Sequence, residues 1–242
     1  GGVVLQPTFL PGFNASIDFY KVDVTGAIGS LSIQQIVNLC FSGNQSACAL
    51  IIRTPGATNQ FDILNQPLNL ASESTKGLDI EASYRFNVED LLPSMSGAVT
   101  IRALGTHYIS YKVNPGLPGS IITERAGSVG LPDWRYSMAV NYSNGPISLS
   151  GTVRGVTSGV INNNWIECTT GCPTSTGDNP TYDDISAAAA RYLDLAATYK
   201  FGEDLQYEAF FNVRNVFNKD PAIIPQGPTG YQSWTNNPVN GS

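Results

Sequence analysis

The residues best suited to acid–base chemistry are a single histidine and two alternating carboxylates. His107 is the only histidine in the chain and has no serine or cysteine beside it, which favours a structural role over that of a general base. Asp79 and Glu81 project from one face of a predicted strand. Paired carboxylates can hydrolyse glycosides, but cross-strand salt bridges to Arg85 or Arg102 are favoured. We therefore predict no catalytic residue, no cofactor and no enzyme activity.

The four cysteines form two close pairs, Cys40 with Cys48 and Cys168 with Cys172, in polar segments rich in Gly, Asn, Ser or Thr. Such spacing indicates local disulfides made in an oxidising compartment. A zinc site is the alternative for the second pair, whose spacing loosely fits a metal site. His107, however, lies far away in the sequence. We expect two disulfides and no metal.

These residues lie in a chain whose composition favours β-structure and excludes some partners. Only 13% of its 242 residues are charged, about half the usual share, and Gly, Tyr, Phe and Pro are abundant. The net charge of −6 without a basic cluster argues against nucleic acid. No run of about 18 apolar residues occurs, whereas a membrane strand needs only about 9–11 residues.

Seven segments alternate apolar and polar residues with a period of two, which predicts seven long strands. One side of each strand needs apolar surroundings, while the other carries charges that a dry core does not accept unpaired. Lipid outside and water inside fits this pattern, as does a β-sandwich with a solvated back. The predicted strands cover 13–25, 61–86, 97–113, a segment ending near 142, a segment beginning at 147, 193–201 and 205–217. The count of seven takes 61–86 as one strand, and two consecutive strands are the alternative there.

The connections between these strands alternate long and short. Residues 1–12 are predicted to be a connector, and a small helix capped by Ser32 or Ser30 is predicted in the first long loop. Both cysteine pairs lie in long loops, and aromatic residues gather beside the short turns. This sorting is typical of an antiparallel up-and-down transmembrane β-barrel. The connections are 26–59, 87–96, 114–127, 144–146, 162–186 and 202–204.

Three short motifs add a resemblance to a known family. The run 212–217 (NVRNVF), the triplet 18–20 (DFY) and the segment 77–81 (GLDIE) resemble conserved stretches of TonB-dependent outer-membrane receptors. The resemblance covers about residues 13–219. It implies an all-β fold with long extracellular loops, in which this chain is part of a 22-stranded barrel. It also implies uptake of a large solute such as a siderophore, cobalamin or a glycan.

The same resemblance sets expectations about extent, location and partners. Residues 1–242 are expected to be the C-terminal part of the barrel, without the plug domain, the TonB box or the final strand. The expected location is the bacterial outer membrane, and the expected partners are membrane lipid, a solute and the TonB complex through the missing N-terminal region. The alternative is a secreted structural or adhesive protein, including a barrel fragment that self-associates through unpaired strand edges.

If the chain is a receptor, its binding residues are expected on the long loops and on the inner wall. Aromatic rings can stack on sugars or planar ligands, and arginines can bind an anionic solute or carboxylates of the plug. The alternatives are self-packing of the loops for the rings and internal salt bridges for the arginines. The candidates are Trp165, Tyr182, Tyr231, Trp234, Arg135, Arg154 and Arg214.

Overall fold

The computed structural model describes residues 1–53, 56, 61–177, 179–221, 223–225 and 231–233, and its main element is one antiparallel sheet. The strands are β1 (Gly2–Leu5), β2 (Phe13–Gly29), β3 (Ile51–Arg53), β4 (Phe61–Ile63), β5 (Leu68–Asn87), β6 (Ala98–Asn114), β7 (Thr123–Glu124), β8 (Trp134–Asn144), β9 (Ile147–Val156), β10 (Gly159–Val160), β11 (Ile166–Glu167), β12 (Thr181–Tyr182), β13 (Ser186–Ala187), β14 (Ala190–Phe201), β15 (Tyr207–Val213), β16 (Ile223–Pro225) and β17 (Tyr231–Ser233). Two α-helices, α1 (Ile33–Phe41) and α2 (Gln45–Cys48), lie in the first long loop, and 3₁₀ turns cover Val88–Asp90 and Glu203–Leu205.

The main sheet has the order β1-β2-β5-β6-β8-β9-β14-β15, with β7 added beside β6. Its seven long strands follow one another in the chain, so the predicted all-β, up-and-down arrangement is confirmed. Among the described residues the sheet stays open rather than closing on itself. Four short strand pairs, β3-β4, β10-β13, β11-β12 and β16-β17, lie outside it.

Two predicted boundaries are wrong, and one open alternative is decided. The supposed connector 1–12 contains β1, which pairs with β2 from Gly2↔Asp18 to Leu5↔Ala15. Of the two alternatives for 61–86, the structure has two consecutive strands, β4 and β5, separated by residues that include Pro67, which cannot donate to a ladder. The strand predicted at 205–217 is shorter because the flanking backbone at Leu205 and Asn215 has φ of 55° and 51°.

Cross-strand register gathers the apolar side chains on one side of the sheet, here named the apolar face. One row runs Tyr84, Ile101, Val140, Gly151 and Leu195 across five strands. The segments that contribute are 78–86, 99–107, 134–142, 147–155 and 193–201, each nine residues long. Their alternate residues on this face include no Asp, Glu, Lys or Arg. The opposite side, the polar face, carries the charged residues.

In the described part of the chain, no second sheet packs over the apolar face. Leu195 is 43% exposed, Phe19 44% and Phe211 65%. Oily side chains sealed between two layers of a sandwich would be almost fully buried. The sandwich alternative is therefore wrong, and the apolar face is left for contact with a non-aqueous environment.

Three strands continue beyond the apolar segments on the side of the long loops. Here the apolar face becomes polar: Lys21 forms an ion pair with Asp23 at 3.0 Å, and the Ser74 hydroxyl donates to Asp23 at 2.6 Å. Lys76 pairs with Lys21 across β2 and β5, and Lys112 pairs with Ser74 across β5 and β6. The apolar face thus has a sharp upper boundary.

Aromatic residues mark both edges of the apolar face. Near the short turns, Phe201 lies 6.0 Å from Tyr199 and 5.6 Å from Tyr207, measured between ring centroids. Near the long loops, the rings of His107 and Trp134 stack at 4.5 Å. Rings at both edges of an apolar band are typical of strands that cross a lipid bilayer.

The first long loop folds into a small helical knob, defined as residues 30–53. The Ser32 side chain accepts from the Gln35 amide and the Gln35 side chain accepts from the Ser32 amide, a capping box that starts α1. A disulfide joins Cys40 to Cys48, as predicted. The buried core of the knob consists of Leu31, Ile36, Leu39 and Ala47, together with Leu117 from the second long loop.

Candidate functional site

The polar face holds several cross-strand contacts that the alternation places on one side. Arg102 forms an ion pair with Glu81 at 2.7 Å, and the Thr106 hydroxyl donates to Asp79 at 2.7 Å. These contacts hold both carboxylates of the sequence pair in structural roles. His107 lies on the apolar face, where one ring nitrogen is 3.0 Å from the Asp133 carbonyl oxygen.

A tighter ion pair connects the last strands of the sheet. The Asp194 carboxylate accepts from Arg154 Nε at 2.8 Å and Nη2 at 3.5 Å, and from the Asn215 amide at 2.8 Å. The Arg154 guanidinium also lies 5.4 Å from the centre of the Tyr192 ring, a cation–π distance. Tyr192 is buried with Val156 and Ala190, so this pair sits on a small packed core.

A groove of about 280 Å³ opens beside this pair on the polar face. It is lined by Arg135 and Arg154, two of the seven candidates, together with Leu104, Thr106 and Ser137. We name these five residues the arginine groove. The register pairs Ser137 with Arg154 and Thr106 with Arg135, which explains why the two guanidinium groups meet there.

Arg135 differs from Arg154 in its partners. Its Nη2 donates to the Gly130 carbonyl at 3.0 Å, while its buried Nε has no hydrogen-bond partner. Among the described residues no carboxylate lies within ion-pair distance of Arg135. The arginine groove therefore contains one neutralised guanidinium and one whose charge lacks a counterion.

A larger cavity of about 520 Å³ lies at the level of the second and third long loops. Its lining includes Tyr111, Arg125, Gly130, Ile161 and Asn162. One hydrogen bond, from Arg135 of the arginine groove to the carbonyl of Gly130 in the lining of this upper cavity, connects the two spaces. The Arg125 side chain is exposed.

Glu124 fixes one wall of the upper cavity. Its carboxylate accepts from the Ser110 hydroxyl at 2.6 Å, the Tyr111 amide at 2.6 Å and the Ala126 amide at 3.0 Å. Burial raises the pKa of Glu124, but these hydrogen bonds and one from the Arg125 amide outweigh burial and hold the pKa below its ordinary value. Glu124 thus remains ionised and ties the loop to β6.

The third long loop is anchored to the second. The Asn163 side-chain amide donates to the carbonyls of Glu124 and Ala126, both at 2.8 Å, and the Val129 amide donates to the Val160 carbonyl at 2.8 Å. These contacts join the two loops that line the upper cavity. Loops that close over a binding site need such contacts in order to keep a defined shape.

The other candidates are spread over separate places. Trp165 and Tyr182 contact each other with ring centroids 4.5 Å apart, and the Cys168–Cys172 disulfide, as predicted, closes the tip of the same loop. Arg214 follows the end of β15 and is exposed. Tyr231 belongs to β17, and Trp234 lies outside the described residues.

Sequence reasoning missed the residues that complete these sites. The alternation places Asp194 and Arg154 on the same face of the sheet, but only the register between β9 and β14 brings the two side chains together. Glu124 and Asn163 lie in loops without periodicity, so no local signal marks them. Tyr192 lies between Arg191 and Leu193, and nothing in this local sequence indicates that its side chain is buried.

The comparisons with known proteins give one match. A family model described as TonB dependent receptor-like, β-barrel matches residues 1–216. No curated protein and no solved structure matches the chain. Within the described residues, neither helix has the length and apolar character needed for a membrane span. In the same residues, no group of three or more His, Cys, Asp or Glu side chains is placed to hold a metal ion.

Proposed function

This chain belongs to the TonB-dependent receptor β-barrel family, and we propose that it is the C-terminal part of a barrel that imports a large solute with energy supplied through TonB. The family consists of receptors and transporters of the bacterial outer membrane rather than enzymes. Beyond membership of the family, we propose the kind of solute, the energy source and the orientation of the loops. We also propose that residues 1–242 all belong to the C-terminal part of the barrel.

The observation that supports the proposal best is the shape of the apolar face. Its nine-residue segments measure about 26 Å along a strand at roughly 3.3 Å per residue. At a tilt of about 40° this gives a height of about 20 Å, close to the apolar band of roughly 25 Å in outer-membrane barrels. The charged strand extensions then lie outside the bilayer, and the long loops lie on the extracellular side.

We propose that the solute meets the long loops first and the polar face next. The upper cavity and the arginine groove lie in this order along the wall, which suits stepwise passage of a solute. Trp165 and Tyr182 present rings on the loops, and Arg135 and Arg154 line the wall below. Tyr231, Trp234 and Arg214 complete the proposed set of contact residues.

Thiol labelling of intact cells tests the orientation. Asp183→Cys, in the third long loop, and Asp90→Cys, in a short turn, replace the same residue type at exposed positions on opposite ends of the sheet. A membrane-impermeant maleimide should label only the Asp183→Cys receptor from outside, and both after the outer membrane is opened. Labelling of the Asp90→Cys variant alone in intact cells would reverse the proposed orientation.

Solute depletion tests the transport proposal. Cells that express the receptor should remove the cargo from a defined medium, and the same cells without TonB should not. Depletion that continues without TonB would contradict energised uptake. The comparison also identifies the cargo, because the depleted compound is read directly from the medium.

The open edges of the sheet favour one second candidate, a secreted protein that assembles strand to strand. β1 covers only residues 15–18 of β2, and β15 pairs on one side with β14. Unpaired edges promote pairing with another chain. Sizing of the chain in buffer without detergent separates the two candidates, because a soluble assembly supports the second and a requirement for detergent supports the receptor.

A further inference from the structure

We propose that the arginine groove binds a carboxylate group of the transported solute, with Arg135 as its main partner. This inference rests on the proposed transport function and specifies the chemical class of the cargo as a carboxylate-bearing solute. It follows from the charge balance, the burial and the chemistry of the groove, and from its position below the upper cavity.

The charge balance leaves one positive charge in the groove. Arg154 is neutralised by Asp194 at 2.8 Å. Arg135 has a single backbone acceptor at 3.0 Å and no carboxylate partner among the described residues. A guanidinium binds a carboxylate well because its parallel N–H groups match the two oxygens. A groove with one uncompensated positive charge suits a singly charged carboxylate better than a doubly charged phosphate.

Burial makes the unsatisfied Nε of Arg135 costly for the free protein. Nε of Arg135 is screened from water and donates to no protein atom. Unsatisfied donors on charged groups destabilise a folded protein, and an anion that accepts from them restores the loss. The arginine groove therefore gains more from an anionic ligand than an exposed surface arginine does.

The remaining lining residues indicate what the rest of the solute resembles. Leu104 offers an apolar contact, whereas Thr106 and Ser137 contribute hydroxyl groups. Such a lining suits a short carbon skeleton that bears hydroxyl or carboxyl substituents. The volume of about 280 Å³ admits one such group rather than a complete large solute.

The upper cavity supplies the route to this groove. Arg125 is exposed on its lining, and no ion pair with Arg125 occurs among the described residues. The Glu124 carboxylate of the same lining is occupied by hydrogen bonds from the Ser110 hydroxyl and two backbone amides, whereas the Arg125 side chain is exposed and can attract anions toward the wall. The Gly130 carbonyl that accepts the hydrogen bond from Arg135 belongs to the lining of the upper cavity, so this bond connects the cavity to the groove.

Titration calorimetry on the intact receptor in detergent tests the inference, with lactate, a singly charged hydroxycarboxylate, as the carboxylate probe and inorganic phosphate and glucose as comparison probes. Lactate should bind more tightly than phosphate, and glucose should not bind at this site. Arg135→Ala should weaken lactate binding roughly tenfold to a hundredfold, the loss expected for hydrogen bonds to a charged group. Arg135→Lys should retain part of the affinity, because it keeps the charge without the fork.

Arg85→Ala is the matched control, since Arg85 is an exposed arginine on the same face near the short turns. Its lactate affinity should equal that of the unmodified receptor. An equal loss in both alanine variants, or tighter binding of phosphate, would overturn the inference. Absence of lactate binding would also overturn it, as expected if Arg135 pairs with a carboxylate elsewhere in the same receptor. TonB-dependent depletion of an uncharged cargo would overturn the carboxylate inference alone and leave the transport proposal standing.

Discussion

The ion pair between Arg154 and Asp194 should be a major stabilising contact of the polar face. We consider Asp194→Asn, which keeps the shape of the side chain and removes its charge. The side chains of Arg154 and Asp194 are 22% and 23% exposed, against 55% and 39% for Arg102 and Glu81. Two ion pairs of the same sheet therefore differ mainly in their contact with water.

The expected magnitude follows from these exposures. Breaking a buried ion pair costs about 3–5 kcal/mol, whereas exposed pairs contribute about 0–1 kcal/mol. A pair about one-fifth exposed lies between these limits, and the charge-assisted bond from the Asn215 amide is weakened as well. We expect Asp194→Asn to lower the free energy of unfolding by about 2–4 kcal/mol, and Glu81→Gln to lower it by less than about 1 kcal/mol.

Urea unfolding of the receptor refolded into lipid vesicles, followed by tryptophan fluorescence, measures both variants. A double-mutant cycle with Arg154→Met isolates the coupling, because the Asp194→Asn effect should shrink when the arginine is already absent. Equal destabilisation by Asp194→Asn and Glu81→Gln would refute the reasoning from burial. An unchanged Asp194→Asn effect in the Arg154→Met background would refute the pair as its cause.

Three further predictions concern the loops, the apolar face and one glycine. The pKa of Glu124 is lowered on folding, so its stabilising contribution is complete above the ordinary glutamate pKa and is lost as the pH falls through the pKa of the folded state. Amide hydrogen exchange in the second long loop should therefore become faster on acidification. Glu124→Gln should remove this pH dependence of exchange. Leu195→Arg should destabilise the membrane-inserted receptor by about 2–4 kcal/mol, whereas Ala196→Arg on the polar face should be tolerated in the same unfolding assay. Gly155→Ala should lower stability more than Gly151→Ala, since an added methyl group would lie 2.6 Å from a tyrosine ring in the first case and 3.4 Å from a leucine methyl group in the second.

The sheet could be predicted because the alternation of apolar and polar residues is a local pattern that can be seen within each strand. Alternation fixes which side chains share a face, so the apolar segments and the inward arginines followed without knowledge of the register. The short turn at 144–146 was predictable from its local sequence Asn-Gly-Pro. The structure agrees, since Gly145 adopts a φ of 53° there. The two disulfides were predictable because their partners are near neighbours in sequence.

The remaining features depend on contacts between distant residues, for which the sequence has no local signal. β1 is a strand only because the edge of β2 lies beside it. The groove between Arg135 and Arg154 requires the register of β6, β8 and β9. The contact of Trp165 with Tyr182 requires two ends of one long loop to meet through the parallel pair β11-β12.

The two disulfides each close within a single loop, eight and four residues apart. Neither bond links one strand to another, so oxidation demands no prior assembly of the wall. A periplasmic oxidase can therefore form both disulfides before the polypeptide inserts into the bilayer. Disulfide formation in the loops and insertion of the sheet into the membrane are then two independent steps, and a defect in thiol oxidation should alter the two loops without preventing insertion.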